Sequence, residues 1–167
     1  MAISNYSELK TAIASWLDRT DLTDIIPDFI ALAETRHKRD FKIRRMETRV
    51  TANTIDGSEF YSLPDDYVAM RNIKLNTDPK TPLEFLTPEI MDRLNAGSSK
   101  GTPKAYTIKG NNIELRPIPD SAYQIEVSYY KHFTALSDSN TTNDMLTHHP
   151  DAYLYGALVE AEPYLQN

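Results

Sequence analysis

The spacing of hydrophobic residues changes period twice along this chain. Tyr6, Leu9, Ile13, Trp16 and Leu17 fall at i, i+3, i+7, i+10 and i+11, one stripe of an α-helix. Asn5 offers an acceptor to the first-turn amides, and Glu8 three residues on completes a capping-box pattern with Asn in place of Ser or Thr. Asp18 to Asp21 break the stripe, and Leu22, Ile25 and Ile26 suit a short helical turn. Pro27 opens a second helix, since its missing N–H is no loss at the first position. Phe29, Ile30, Ala33, His37 and Phe41 carry one face of it to about Met46, a helix of about 30 Å at roughly 1.5 Å per residue.

The middle of the chain has period two. Pro64, Pro79, Pro82, Pro103, Pro117 and Pro119 make long helices unfavourable there, because each removes a hydrogen bond and crowds the preceding turn. Val50, Ala52 and Thr54 alternate with Thr51 and Asn53; Asp56-Gly57 supplies a turn, and Phe60 to Leu63 returns. Arg71, Ile73 and Leu75 alternate with Asn72, Lys74 and Asn76. Tyr106 to Lys109, Gly110-Asn111 and Ile113 to Arg116 form the strongest hairpin signal. Tyr123, Ile125, Val127 and Tyr129 line one face of a last strand, with Gln124, Glu126 and Ser128 on the other. Thr87-Pro88-Glu89 announces one short helix, carrying Ile90, Met91 and Leu94 and stopping near Gly97.

Residues 133–149 are rich in Ser, Thr, Asn and Asp and read as a long loop. Pro150 then opens a final helix, which Pro163 interrupts. The organisation expected is therefore α+β: N-terminal helices over 1–48, a β-rich lobe with one short helix over 49–132, the loop over 133–149, and a helix over 150–167 that returns to the first ones. The helical bundle is built from both chain ends, with the lobe inserted between them.

Composition narrows the function. Among 167 residues, 40% are hydrophobic and 25% charged, the mix of an ordinary globular protein. The net charge of −6 argues against a global electrostatic grip on nucleic acid or an anionic membrane. Cysteine is absent, so disulfides, thiolate metal ligands and thiol nucleophiles are excluded. Met1 to Lys10 does not read as a signal peptide, and no apolar run approaches the roughly 20 residues that span a bilayer.

No enzyme signature emerges. His148-His149 could chelate a metal with Asp144 or Asp151, but a tight site needs three or four ligands in fixed geometry. A solvent-facing pair beside a helix start is the simpler reading. The stretch Gly97 to Thr102 lacks the phosphate-loop spacing, and Pro103 stands where its helix would begin. No serine sits in a nucleophile motif, no glycine-rich dinucleotide fingerprint exists, and Asp65-Asp66 fits a turn. We therefore assign no catalytic, metal or cofactor residue.

Two features point to surfaces instead. Seven basic residues (Arg36, Lys38, Arg39, Lys42, Arg44, Arg45 and Arg49) lie within fourteen positions that hold only two acids, Asp40 and Glu47. Such a run fits a solvated helix end, docking onto an acidic protein surface such as a second copy, or contact with phosphates. Tyr153 and Tyr155 stand two apart on the last helix, so both cannot face one core. At least one sees solvent or a partner, and tyrosine is enriched at interfaces.

The order of several segments resembles the head-to-tail adaptor (connector) proteins of tailed phages, in the manner of tail tubular protein A. They are Asn5 to Leu17, Ile26 to Glu34, Arg44 to Glu47, Tyr61 to Tyr67, Leu83 to Glu89, Ile113 to Pro117 and His149 to Leu158. The resemblance implies a structural virion protein with no catalytic residues, located at the virion neck and in the host cytoplasm before assembly. It implies a homo-oligomeric ring, a dodecamer, joining the portal protein to a tail or nozzle protein, with phage DNA passing through without sequence-specific binding. A neck stopper or tail-terminator ring is the nearest alternative, and a small nucleic-acid-binding module using the basic run is one of another class. Adaptors of this kind run on into a further helix and a portal-engaging tail, so with the sequence ending at Asn167 that element is expected to be missing, supplied differently or cut off.

Overall fold

The computed structural model describes residues 3–94, 97 and 99–166. Ser98 of the Gly97–Thr102 stretch, the side chain of Leu94, and the terminal Met1 and Asn167 lie outside the described residues. In chain order the elements are α1 (Tyr6–Leu17), α2 (Ile26–Asp40), a 3-10 turn (Arg44–Met46), β1 (Glu47–Asn53), β2 (Phe60–Ser62), β3 (Tyr67–Leu75), β4 (Thr81–Pro82), β5 (Glu84–Phe85), α3 (Pro88–Leu94), β6 (Ala105–Lys109), β7 (Asn112–Arg116), β8 (Gln124–Lys131), α4 (Asp144–His148) and α5 (Pro150–Leu165). They form two compact units, Met1–Arg45 with His132–Asn167 and Met46–Lys131. The fold class is α+β.

The helical unit packs α1 and α2 against α5 around a core that includes Leu9, Ile13, Ile30, Leu146, Tyr153 and Ala157. Asn5 caps α1 by accepting from the Glu8 N–H at 2.9 Å. The reciprocal arm differs from a standard capping box, because Glu8 Oε2 accepts from Ser4 N–H at 2.7 Å. Asp18, at φ 51°, closes the helix in the left-handed region, which Asp tolerates better than most residues.

Three expectations are corrected here. Helix α2 ends at Asp40, about 22 Å long, instead of running to Met46. Beyond Phe41 the positions that would continue its apolar face are Arg44 and Arg45, so no burial sustains another turn. The 133–149 segment contains α4, whose cap is Asn143 accepting from Leu146 N–H at 2.8 Å and whose Met145 and Leu146 are buried. A polar composition concealed this single apolar pair. Finally, α5 runs through Pro163 to Leu165: the proline forfeits one N–H bond to the preceding turn, and the helix ends two residues later.

The β unit consists of two four-stranded sheets, ordered β1-β8-β3-β4 and β2-β7-β6-β5. Ile125, Val127 and Ile73 from one sheet share a core with Tyr106, Ile113 and Leu115 from the other. The β6–β7 hairpin turns through Gly110-Asn111, with Gly110 at φ 59°, a conformation open to glycine. The return of Phe60–Leu63 onto the Val50 strand is not found. β1 pairs along its full length with β8, whereas the three-residue β2 pairs with β7 in the other sheet. An eight-residue strand offers β1 a complete ladder that β2 cannot.

Candidate assembly surfaces

Within the helical unit the two tyrosines part company. Tyr153 is 2% exposed, with its ring edge-on to His37 and its hydroxyl donating to Glu34 Oε1 at 3.1 Å. Asn143 Nδ2 donates to the same hydroxyl at 2.7 Å, and Leu136 N–H donates to Glu34 Oε1 at 2.8 Å. Burial pushes the Glu34 carboxyl above its ordinary pKa against these hydrogen bonds, pushes the Tyr153 hydroxyl up, and pushes His37 down. This network ties the polar 133–149 segment to α2 and α5. Tyr153 thus belongs to the buried core of the subunit.

Tyr155 faces outward at 53% exposure, its ring edge-on to Trp16 with centroids 5.7 Å apart. Val159, one turn further along α5, is also exposed. Trp16 shares the angular stripe of Leu9 and Ile13 but lies in the last turn of α1, and it is 59% exposed instead of buried. The sequence reading set Trp16 on the apolar stripe of its helix and named neither it nor Val159 as a surface residue. The position of Trp16 at a helix end was the one signal available.

The basic run does not form one face. Arg36, Lys38 and Arg39 are on α2, Lys42 follows it, Arg44 and Arg45 are in the 3-10 turn, and Arg49 is on β1 in the other unit. Arg36 bonds Glu160 at 2.7 Å, and Arg45 lies 3.4 Å from Asp144. Lys38, Arg39, Lys42 and Arg44 are exposed with no ion pair among the described residues. Ile43, Arg44, Arg45 and His149 line an open cleft of about 520 Å³. It is a shallow surface with two arginines on its lining.

In the β unit each outer sheet face holds a buried glutamate among cations. Glu126 on β8 lies 2.7 Å from Lys74, 3.4 Å from Lys80 and 3.8 Å from Arg49, and Lys74 in particular lowers its pKa. Glu114 on β7 bonds Lys109 at 2.8 Å and Arg116 at 2.9 Å, and those cations continue to Asp92 and Glu59. Glu126 and Ser128 are thus buried on a face of β8 where alternation predicts solvent, with Lys74, Lys80 and Arg49 gathered around Glu126. Among the described residues no group of three or more His, Asp or Glu side chains is placed to hold a metal ion. Among the described residues no helix is long and apolar enough to cross a membrane.

The helical unit carries exposed aromatics and cations with no ion pair among the described residues, and the β unit neutralises its buried charges internally; these are features of an assembly subunit, the class to which phage head-to-tail adaptors belong. The chain matches the SU10 adaptor protein family over residues 4–167 and belongs to it. It is a phage adaptor, a structural protein of the virion. Comparison with curated proteins finds no match.

Proposed function

We propose that this adaptor forms a homo-oligomeric ring, a dodecamer, at the virion neck, joining the portal protein to a tail or nozzle protein while DNA passes through its middle. The observation that carries this reading is family membership across nearly the whole chain. Two surfaces of the helical unit support it. Trp16, Tyr155 and Val159 offer desolvatable apolar area, and Lys38, Arg39, Lys42 and Arg44 offer charge that has no ion-paired acid among the described residues. A ring contact is heterologous, joining one face to a different face of the next copy, and charge on one side favours a single register. We place Arg45 and Arg36 at the margin of that surface because their charges are already engaged.

Mixing the purified chain with a portal ring and imaging the mixture by cryo-electron microscopy tests the proposal. The expected image shows added density beneath the portal, and virions show the same density at the neck. Virions lacking such density would overturn it. Glutamate substitution at Arg39 and Arg44 is expected to abolish this attachment and leave the monomer folded. Retention of DNA by the wild-type chain in a gel shift, lost in the same variant, would instead favour the nucleic-acid reading.

A further inference from the structure

Sheet edges expose unpaired backbone groups, and three of the four edge strands in the β unit are short; β4 covers only Lys74 and Leu75 of β3, whose remaining edge is broken by two register shifts. β4 has two residues, one of them proline; β5 has two and β2 three. The fourth edge, β1, has seven residues, Glu47-Thr-Arg-Val-Thr-Ala-Asn53, with no proline, glycine or lysine. Its register with β8 is continuous from Glu47↔Tyr130 to Asn53↔Gln124, without a bulge. Six of its seven residues are exposed and Thr48 is half-buried.

The phase of its hydrogen bonds follows from one contact. Thr54 N–H donates to Tyr123 O at 2.8 Å, so the bonded pairs with β8 recur at Ala52, Val50 and Thr48. Asn76 N–H donating to Gln124 O at 2.8 Å fixes the complementary phase on the other side of β8. The N–H and C=O groups of Glu47, Arg49, Thr51 and Asn53 therefore point away from the sheet. The charged side chains that would discourage pairing are turned across the sheet face, Glu47 to Arg71 at 3.1 Å and Arg49 towards Glu126. On the opposite face Val50 and Ala52 sit beside Val127 and Ile125, at the uncovered margin of the core.

We infer that β1 is a pairing edge for β1 of a second copy of this chain, antiparallel about a two-fold axis at Val50. That register uses the whole strand. Glu47 faces Asn53 of the other copy and Arg49 faces Thr51, each pair exchanging two hydrogen bonds through the outward groups. Val50 meets Val50 and Thr48 meets Ala52 on the apolar side. No like charges stand directly opposite, and the core margin of each sandwich gains a neighbour. A two-fold contact closes on itself, so this dimer is a state of the free chain distinct from the ring contact proposed above, and it covers an edge otherwise open to aggregation.

Sedimentation of the purified chain over a range of concentrations, with residue-resolved amide exchange, tests this pairing. A monomer–dimer equilibrium is expected. Amides of Arg49 and Thr51 gain protection in the dimer, whereas those of Thr48, Val50 and Ala52 are protected in both states. Thr51→Pro removes only an outward N–H, so β1 stays on β8 while the dimer dissociation constant rises about tenfold or more. Val50→Lys, which sets two cations face to face without touching the backbone, is expected to do the same. A chain that stays monomeric throughout, a dimer indifferent to both substitutions, or protection gained only when a different protein is added overturns the inference. Portal-attachment imaging of Thr51→Pro separates the two readings, since the ring contact should survive it.

Discussion

The Tyr153 hydroxyl donates to Glu34 Oε1 at 3.1 Å, joining two residues 119 positions apart. Glu34 also accepts from Leu136 N–H, so one carboxyl holds α5 and the start of the polar 133–149 segment to α2. Glu34→Ala leaves a buried amide without its acceptor and should destabilise the chain by about 1–3 kcal/mol in chemical denaturation. Exchange protection should be lost first at Leu136.

Two of the buried glutamates, Glu34 and Glu126, should shape the pH dependence in opposite senses. Glu34 has a folded-state pKa above its ordinary 4.5, so its ionised form costs stability at neutral pH. That cost is relieved as pH falls through the raised value, and the relief is complete below 4.5. Glu126 has a folded-state pKa below 4.5, so its contribution is present above 4.5 and lost as pH falls through the lower value. Glu126→Gln should therefore flatten the acid limb of a stability–pH profile, and Glu34→Gln the gentler slope above it. A profile unchanged by both variants would contradict this assignment.

Gly156 permits the close approach of α5 to α2. A Cβ there would meet Ala33 Cβ and His37 Nε2, each at 3.1 Å. Gly156→Val should lower stability by about 1–3 kcal/mol through overpacking. Gly156→Ala should cost less, because the gain of about 1 kcal/mol in helix propensity offsets part of the crowding. Thermal melts of the two variants separate these outcomes.

The paired tyrosines give a contrast between stability and assembly. Tyr153→Ala removes a buried ring and should cost about 3–5 kcal/mol, in the range of large-to-small aromatic truncations. Tyr155→Ala loses an exposed aromatic pair, about 0.5–1.5 kcal/mol. If the helical unit's apolar surface meets a neighbouring subunit, Tyr155→Ala should nonetheless be the variant that folds and fails to incorporate into virions. Melting temperatures set beside incorporation in a complementation assay would show it.

The elements most legible in the sequence were those written in local chemistry. Asn5 as a cap, Pro27 and Pro150 as helix openers, the Gly110-Asn111 turn and the alternation of Ile125, Val127 and Tyr129 each depend on neighbours a few positions away. The apolar face through His37 was also readable, because helical spacing alone places it beside Ala33 and Ile30.

What only the tertiary structure decided depends on partners distant in sequence. Nothing local told β1 to pair with β8 instead of β2, and strand length settled it across the intervening residues 54–123. Nothing local told Trp16 that its ring would be left exposed beside Tyr155, or told Glu126 that three cations from β1, β3 and the turn before β4 would gather around it. Helix caps and turns are set by backbone geometry and short-range hydrogen bonds, so sequence by itself determined them. Burial and charge pairing are set by which surfaces meet, and that was fixed only when the chain had folded.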